Sequence, residues 1–153
     1  MQDPRSVIFT FSNSDTDGRI ILDKINSFVQ RYSTTSVAFA SMGSLNYFST
    51  LQYVDIVLGN SSSGLSEAPS FKIATVNIGD RQKGRLKLES VIDCAPEKNS
   101  ILSAIRKAYS EEFRDTLKNV KSPFGDGQAA EKITKIIKTV DLPKELKKSF
   151  HDL

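Results

Sequence analysis

The chain has 153 residues, of which 39% are hydrophobic and 25% charged, and its formal net charge is +3. These values are typical of one globular domain with its own hydrophobic core. Basic residues are scattered among acidic ones, so we expect no nucleic-acid binding. A single cysteine excludes an internal disulfide framework, and no apolar run reaches the roughly 18 residues of a membrane span. We therefore expect a cytoplasmic domain that binds no membrane.

Histidine-based chemistry is not expected either. The only histidine, His151, lies close to the C-terminal end in a charged segment. The sequence has no Cys/His cluster that could bind zinc. A Ser-His-Asp arrangement would require this terminal segment to reach across the fold. We therefore expect no metal, no cofactor and no catalytic residue of this kind in the chain.

Short apolar runs alternate with amphipathic segments along the chain. A buried strand is predicted at 6–11, and further strands are predicted at 37–40, 54–58, 73–78 and 90–94. Helical periodicity predicts helices at 21–32, 45–53, 101–109 (with an apolar side continuing to 117) and 129–140. Asp15 or Asp17 is the predicted cap of the first of these helices. A further short helix follows a serine-rich loop, and Pro69 should end or bend it, because proline lacks an N–H.

This alternation predicts an α/β fold, a Rossmann-like parallel sheet flanked by helices. The expected domain covers residues 1–141, and residues 142–153 are expected to form a charged helix or tail. Ligands of such sheets bind beyond the carboxyl ends of the strands. Asn13, Ser41, Ser61 and Arg81 each follow a predicted strand. We expect these four side chains to converge on one rim of the sheet.

The serine-rich loop is the most informative segment. It brings three serines and Gly64 to the start of the short helix, with Glu67 about one turn further on. Backbone N–H groups at a helix start favour an anion, serine hydroxyls add donors, and a glycine lets the anion approach the main chain. Glu67 would repel a phosphate and fits a neutral diol such as ribose. The pattern predicts a nucleotide diphosphate, and a solvated turn that caps the helix is the alternative.

Five segments together resemble one family. They are residues 13–19, 58–64, 67–71, 75–85 and 125–127, so the resemblance covers most of the chain. It is to the C-terminal half of hydrolysing UDP-N-acetylglucosamine 2-epimerases, enzymes of sialic-acid and related pathways. The resemblance implies a fold equivalent to the C-terminal half of a glycosyltransferase-B-type protein. In such proteins two Rossmann-like halves face each other across a cleft.

The resemblance also implies roles for individual residues. Ser61 and Ser62 would hold the diphosphate, Glu67 would accept the ribose hydroxyls, and Arg81 would complete the nucleotide pocket. Asn13 would contact the nucleotide, and the segment around Ser41 and Met42 would lie against uracil. The substrate-binding residues implied are therefore Asn13, Ser41, Met42, Ser61, Ser62, Glu67 and Arg81.

The family's reaction implies partners beyond this chain. Its enzymes eliminate UDP from UDP-N-acetylglucosamine and then add water, which releases N-acetylmannosamine and UDP. Their acid/base carboxylates belong to the N-terminal half, so we expect that missing domain as a partner, with homo-oligomerisation as a further option. The chain by itself is expected to be inactive. A stand-alone UDP-sugar-binding module and the donor-binding half of a glycosyltransferase are the alternative functions.

Overall fold

The computed structural model describes residues 6–11, 18–125 and 127–141. The chain folds into two compact units, Met1–Val54 and Asp55–Leu153. Each unit has a parallel sheet of its own. None of the described helices is long and apolar enough to cross a membrane.

The first unit contains two strands and two helices. They are β1 (Val7–Thr10), α1 (Gly18–Arg31), β2 (Ser36–Phe39) and α2 (Gly43–Leu51). The two strands pair in parallel, with Val7 opposite Ser36. Helix α1 packs on this sheet through Phe28, whose ring lies edge-on to that of Phe9 at a centroid distance of 5.5 Å. Such an aromatic pair adds stabilisation beyond the burial of its apolar area.

The prediction that the first strand is buried is wrong. The strand forms where it was predicted, but Val7 is 36% and Ile8 is 42% exposed. Successive side chains of a strand point to opposite faces of the sheet. Phe9 therefore meets α1, whereas Ile8 lies on the face away from that helix.

The second unit holds the larger sheet. Its elements are β3 (Ile56–Gly59), α3 (Ser63–Ser66), a 3-10 helix (Ala68–Phe71), β4 (Ala74–Ile78), β5 (Val91–Cys94), α4 (Lys98–Ala108), α5 (Glu111–Asn119) and α6 (Ala129–Thr139). The strand order is β3-β4-β5 with both pairings parallel, so β4 is central. The α/β class with parallel sheets flanked by helices is thereby confirmed. The described strands form two sheets where the sequence predicted one, because an apolar run does not reveal which strand lies beside it.

Strand β4 is covered on both faces. Ala74 and Val76 belong to the hydrophobic core, where Phe113 and Leu117 of α5 join residues of α4. Thr75 and Asn77 alternate with them and are each 1% exposed on the opposite face. Thr75 contacts α3 there. The central strand is therefore buried on both sides by helices, as parallel sheets require.

Helices α4 and α5 are separate, although their apolar positions continue one pattern in sequence. The break falls at Ser110, whose side chain accepts a hydrogen bond from the N–H of Phe113 and caps α5. Glu111 and Glu112 in the first turn of α5 suit the positive end of the helix. Helix α6 lies near the predicted boundaries, but it has no buried residue, and its isoleucines are exposed.

Candidate functional site

The serine-rich loop begins where β3 ends. Gly59 has a φ of +151°, a conformation that residues with a Cβ rarely adopt, so a glycine is required at this turn. The Ser61 hydroxyl accepts a hydrogen bond from the N–H of Ser63 at 3.3 Å. Ser62 precedes α3 as its N-cap residue, but its side chain makes no capping bond and is exposed. The two serines thus differ: Ser61 shapes the loop, and the Ser62 hydroxyl can serve an external acceptor.

The predicted short helix and the carboxylate one turn later are confirmed. The N–H of Glu67 donates to the carbonyl of Ser63 at 2.9 Å, and α3 ends there. The chain then tightens into the 3-10 helix, with Pro69 in its first turn. Because α3 has only four residues, its macrodipole is small. An anion bound here would depend on hydroxyls and nearby N–H groups.

Gly64 has a different role from the one that the sequence suggested. It is buried, and a Cβ built on it would lie 2.6 Å from the Cγ2 of Thr75. The Thr75 hydroxyl donates to the carbonyl of Gly64 at 2.7 Å, which holds the threonine in this rotamer. The missing side chain therefore allows α3 to pack closely on β4. Close helix–strand packing is a recognised use of glycine in nucleotide-binding folds.

Arg81 lies in the turn that follows β4. The turn is fixed by a hydrogen bond from the N–H of Lys83 to the carbonyl of Asp80 at 2.8 Å. Arg81 itself is exposed. Because β3 and β4 are parallel neighbours, this turn and the serine-rich loop leave the sheet at the same edge. The sequence-based expectation that Ser61 and Arg81 follow their strands at one rim agrees with this arrangement.

Gln82 links the two segments directly. Its side-chain amide donates to the carbonyl of Asn60 at 2.7 Å, and the residue is only 3% exposed. A carbonyl only accepts, which fixes the donating atom as Nε2. Gln82 was not predicted from the sequence, since no local pattern announces a contact to a residue 22 positions earlier.

A second polar cluster secures the end of the sheet. Asn77 donates to Asp93 at 2.7 Å, and Lys87 contacts both oxygens of the same carboxylate at 2.9 and 2.8 Å. Partial burial alone would raise the pKa of Asp93, but the hydrogen bonds from Lys87 and Asn77 and the charge of Lys87 hold it below its usual value. Lys87 is thus part of an ion pair with Asp93. Burial, and secondarily the charge of Asp93, raises the pKa of the Cys94 thiol, which disfavours its thiolate.

The remaining predicted residues lie in the first unit or outside the described residues. Ser41 follows β2, and its hydroxyl accepts from the N–H of Gly43 at 3.3 Å. Met42 is the N-cap residue of α2 and is partly buried. Asn13 lies outside the described residues, as do the predicted cap residues Asp15 and Asp17. The structure therefore brings together the segments of Ser61, Ser62, Glu67 and Arg81, and the predicted convergence with Asn13 and Ser41 stays a prediction.

The part of the chain that the structure describes offers no cluster of metal ligands. There, no three residues among His, Cys, Asp and Glu are grouped so that they could hold an ion.

The fold and this site define a class: a Rossmann-like α/β protein in which a serine-rich loop and the turn that carries Arg81 lie at the same edge of the sheet. The family model for UDP-N-acetylglucosamine 2-epimerase matches residues 2–138. The chain therefore belongs to the UDP-N-acetylglucosamine 2-epimerase family.

Curated relatives agree with this assignment. The chain is 42% identical over 97% of its length to a Campylobacter jejuni protein named GDP/UDP-N,N'-diacetylbacillosamine 2-epimerase (hydrolyzing), of which it covers 38%. It is 39% identical over 95% of its length to the Escherichia coli polysialic acid biosynthesis protein P7, of which it covers 36%. The chain thus spans less than two-fifths of these relatives.

One solved structure supports the fold. It is the crystal structure of a Listeria monocytogenes protein assigned as a UDP-N-acetylglucosamine 2-epimerase, and it superposes with a TM-score of 0.63. The match covers 94% of this chain and 48% of that one, at 14% sequence identity. At this identity the likeness concerns the fold alone.

Proposed function

We propose that this chain is the UDP-binding, C-terminal domain of a hydrolysing UDP-N-acetylglucosamine 2-epimerase. The domain would cover residues 1–141, with residues 142–153 as a charged helix or tail. The observation that carries the proposal is the hydrogen bond of 2.7 Å from the Gln82 side chain to the Asn60 carbonyl. This bond, called the clasp below, holds the serine-rich loop beside the turn of Arg81. The two segments are thereby held together at the carboxyl end of the sheet, where parallel α/β folds bind nucleotides.

The diphosphate is assigned to the serine-rich loop. The exposed Ser62 hydroxyl, which makes no capping bond, is the first donor to a phosphate oxygen. The neighbouring Ser61 hydroxyl is the second donor. Arg81 is exposed in the neighbouring turn, and its positive charge would pair with the negatively charged diphosphate. Glu67, one turn after Ser63, is the acceptor for the ribose hydroxyls.

The residues proposed for the base follow from the family resemblance. Asn13 would contact the nucleotide, and the main chain around Ser41 and Met42 would lie against uracil. Met42 is the N-cap residue of α2 and lies in the loop that follows β2. This segment therefore has the same place relative to its strand as the serine-rich loop has relative to β3.

The complete protein would convert UDP-N-acetylglucosamine and water into N-acetylmannosamine and UDP. The C–O bond to UDP breaks while a proton leaves C2, and water then adds to the resulting double bond. Hydrogen bonds from Ser62 and the charge of Arg81 would stabilise the negative charge that develops on the departing diphosphate. The acid/base residues would belong to a further domain of the same protein, so we expect the chain alone to bind UDP and to turn nothing over.

A 2,4-diacetamido sugar nucleotide is the second candidate substrate. Two relatives that share 42% and 31% identity with the chain are named as diacetylbacillosamine 2-epimerases. A relative named UDP-N-acetylglucosamine 2-epimerase, from Neisseria meningitidis, shares 29% over 69% of the chain. Both candidates share the UDP moiety, so the proposed nucleotide contacts are the same for each.

Calorimetric titration of the 153-residue chain with UDP tests the proposal. Ser62→Ala and Glu67→Gln should each weaken binding, because a hydrogen bond that involves a charged group is worth about 1.5–3 kcal/mol. Ser103→Ala and Glu131→Gln make the same chemical changes at exposed positions of α4 and α6 and should leave the affinity unchanged. Absence of UDP binding, or equal binding by all four variants, would refute the proposal.

Activity separates the reaction classes. A longer protein that carries this chain should release free amino sugar and UDP from one of the two candidate substrates. Transfer of the sugar to an acceptor would identify a glycosyltransferase instead. Turnover by the 153-residue chain alone would show that the acid/base residues lie within it.

A further inference from the structure

We infer that Gln82 is a positioning residue that presents the serine-rich loop and Arg81 to the same ligand; this inference rests on the proposed function. The clasp joins two segments that are separate in sequence. Gln82 is adjacent to Arg81, and Asn60 is adjacent to Ser61. One hydrogen bond of 2.7 Å therefore ties the main chain beside the serine donors to the turn that carries Arg81.

The turn of Gln82 is rigid at its base. The N–H of Gly79 donates to the carbonyl of Cys94 at 2.9 Å, which ties the start of the turn to β5. The carbonyl of Gln82 accepts from the N–H of Arg85 at 3.3 Å. The clasp to Asn60 therefore holds a loop against an anchored turn.

The serine-rich loop also has support from within. The bond from the N–H of Ser63 to the Ser61 hydroxyl lies within the loop and does not fix it to the sheet. Further along the chain, Gly64 packs on Thr75. The Gln82 amide thus ties the start of this loop, at Asn60, to the turn that follows β4.

The chemistry of Gln82 separates positioning from stability. Its Nε2 makes the clasp, but within the described residues its buried Oε1 has no hydrogen-bond partner. A buried acceptor without a partner is unfavourable for folding. Methionine is similar in size and shape and carries no such acceptor. Gln82→Met therefore removes the clasp and the unpaired oxygen together, so the thermal midpoint should stay constant or rise.

The test uses the 153-residue chain and UDP as the probe. Gln82→Met should weaken UDP binding roughly tenfold, because the loop must be ordered again on binding. Gln30→Met, the same exchange at an exposed position of α1, is the control and should bind as the parent chain does. Amide hydrogen exchange of the free proteins should be faster in Gln82→Met at residues 61–66 and unchanged in β4.

A double-mutant cycle with Ser62→Ala gives a readout that a purely structural role would not produce. If Gln82 acts through the loop, the double variant should bind only slightly more weakly than Gln82→Met, instead of showing the product of the two fold-changes. Multiplicative losses would overturn the inference, and so would unchanged UDP affinity in Gln82→Met. A lower thermal midpoint with faster exchange throughout the second unit would overturn it as well. If the parent chain binds no UDP, the proposed function fails, and the local exchange of residues 61–66 still shows whether Gln82 holds the loop.

Discussion

Replacement of Gly64 by alanine tests how closely α3 must pack on β4. The new Cβ would lie 2.6 Å from the Cγ2 of Thr75, well inside van der Waals contact. Thr75 cannot turn away without losing its hydrogen bond of 2.7 Å to the Gly64 carbonyl. Overpacking of a buried site costs about 1–3 kcal/mol, and the better helix propensity of alanine returns at most about 1 kcal/mol. We expect a net loss of about 1–2 kcal/mol in the free energy of unfolding.

The matched partner is Thr75→Ser, which removes the colliding methyl group and keeps the hydroxyl. By itself it should cost about 1 kcal/mol for the lost buried methyl. In the double variant the serine makes room for the alanine, so its loss should be smaller than the sum of the two single losses by about 1 kcal/mol or more. Urea unfolding followed by circular dichroism measures all four free energies. Strict additivity, or a Gly64→Ala variant as stable as the parent, would refute the packing argument.

Three further predictions concern stability. The lowered pKa of Asp93 means that its ion pair with Lys87 stabilises the fold above about pH 4 and that this contribution is lost as the pH falls through the folded-state pKa. The urea midpoint of Asp93→Asn should therefore lie below that of the parent at pH 6 and approach it at pH 3. The difference at pH 6 should be small, because the carboxylate is half-exposed. Ser110→Ala should lose about 1 kcal/mol of unfolding free energy through the missing cap of α5, whereas Ser103→Ala should lose almost nothing in the same titration. Gly59→Ala should cost about 1–3 kcal/mol because of its φ of +151°, and an unchanged urea midpoint would contradict this.

The local elements of the fold could be predicted, because they depend on short-range patterns. Each predicted strand is present within a few residues of its expected position, and Pro69 falls where the helix gives way to a 3-10 turn. The break between α4 and α5 at Ser110 could also have been predicted, since a serine followed by two glutamates is a helix-start signal. The continuous apolar pattern from Ile101 to Leu117 hid it.

The features that depend on distant contacts could not be predicted. Thr75 and Gly64 are 11 positions apart, and Gln82 and Asn60 are 22 apart. Nothing in the local sequence distinguishes Gln82 from a surface glutamine, or a glycine needed for packing from one that admits a ligand. The prediction that the first strand is buried was wrong for the same reason. The exposure of a strand depends on which elements cover each of its faces.

The two attachments of the serine-rich loop also constrain how this chain can change in evolution. The Asn60 carbonyl is held at one end of the loop and Gly64 at the other, with only residues 61–63 between them. An inserted or deleted residue in this interval would have to break one of the two attachments. We therefore expect homologous loops to keep a constant length between these two attachments.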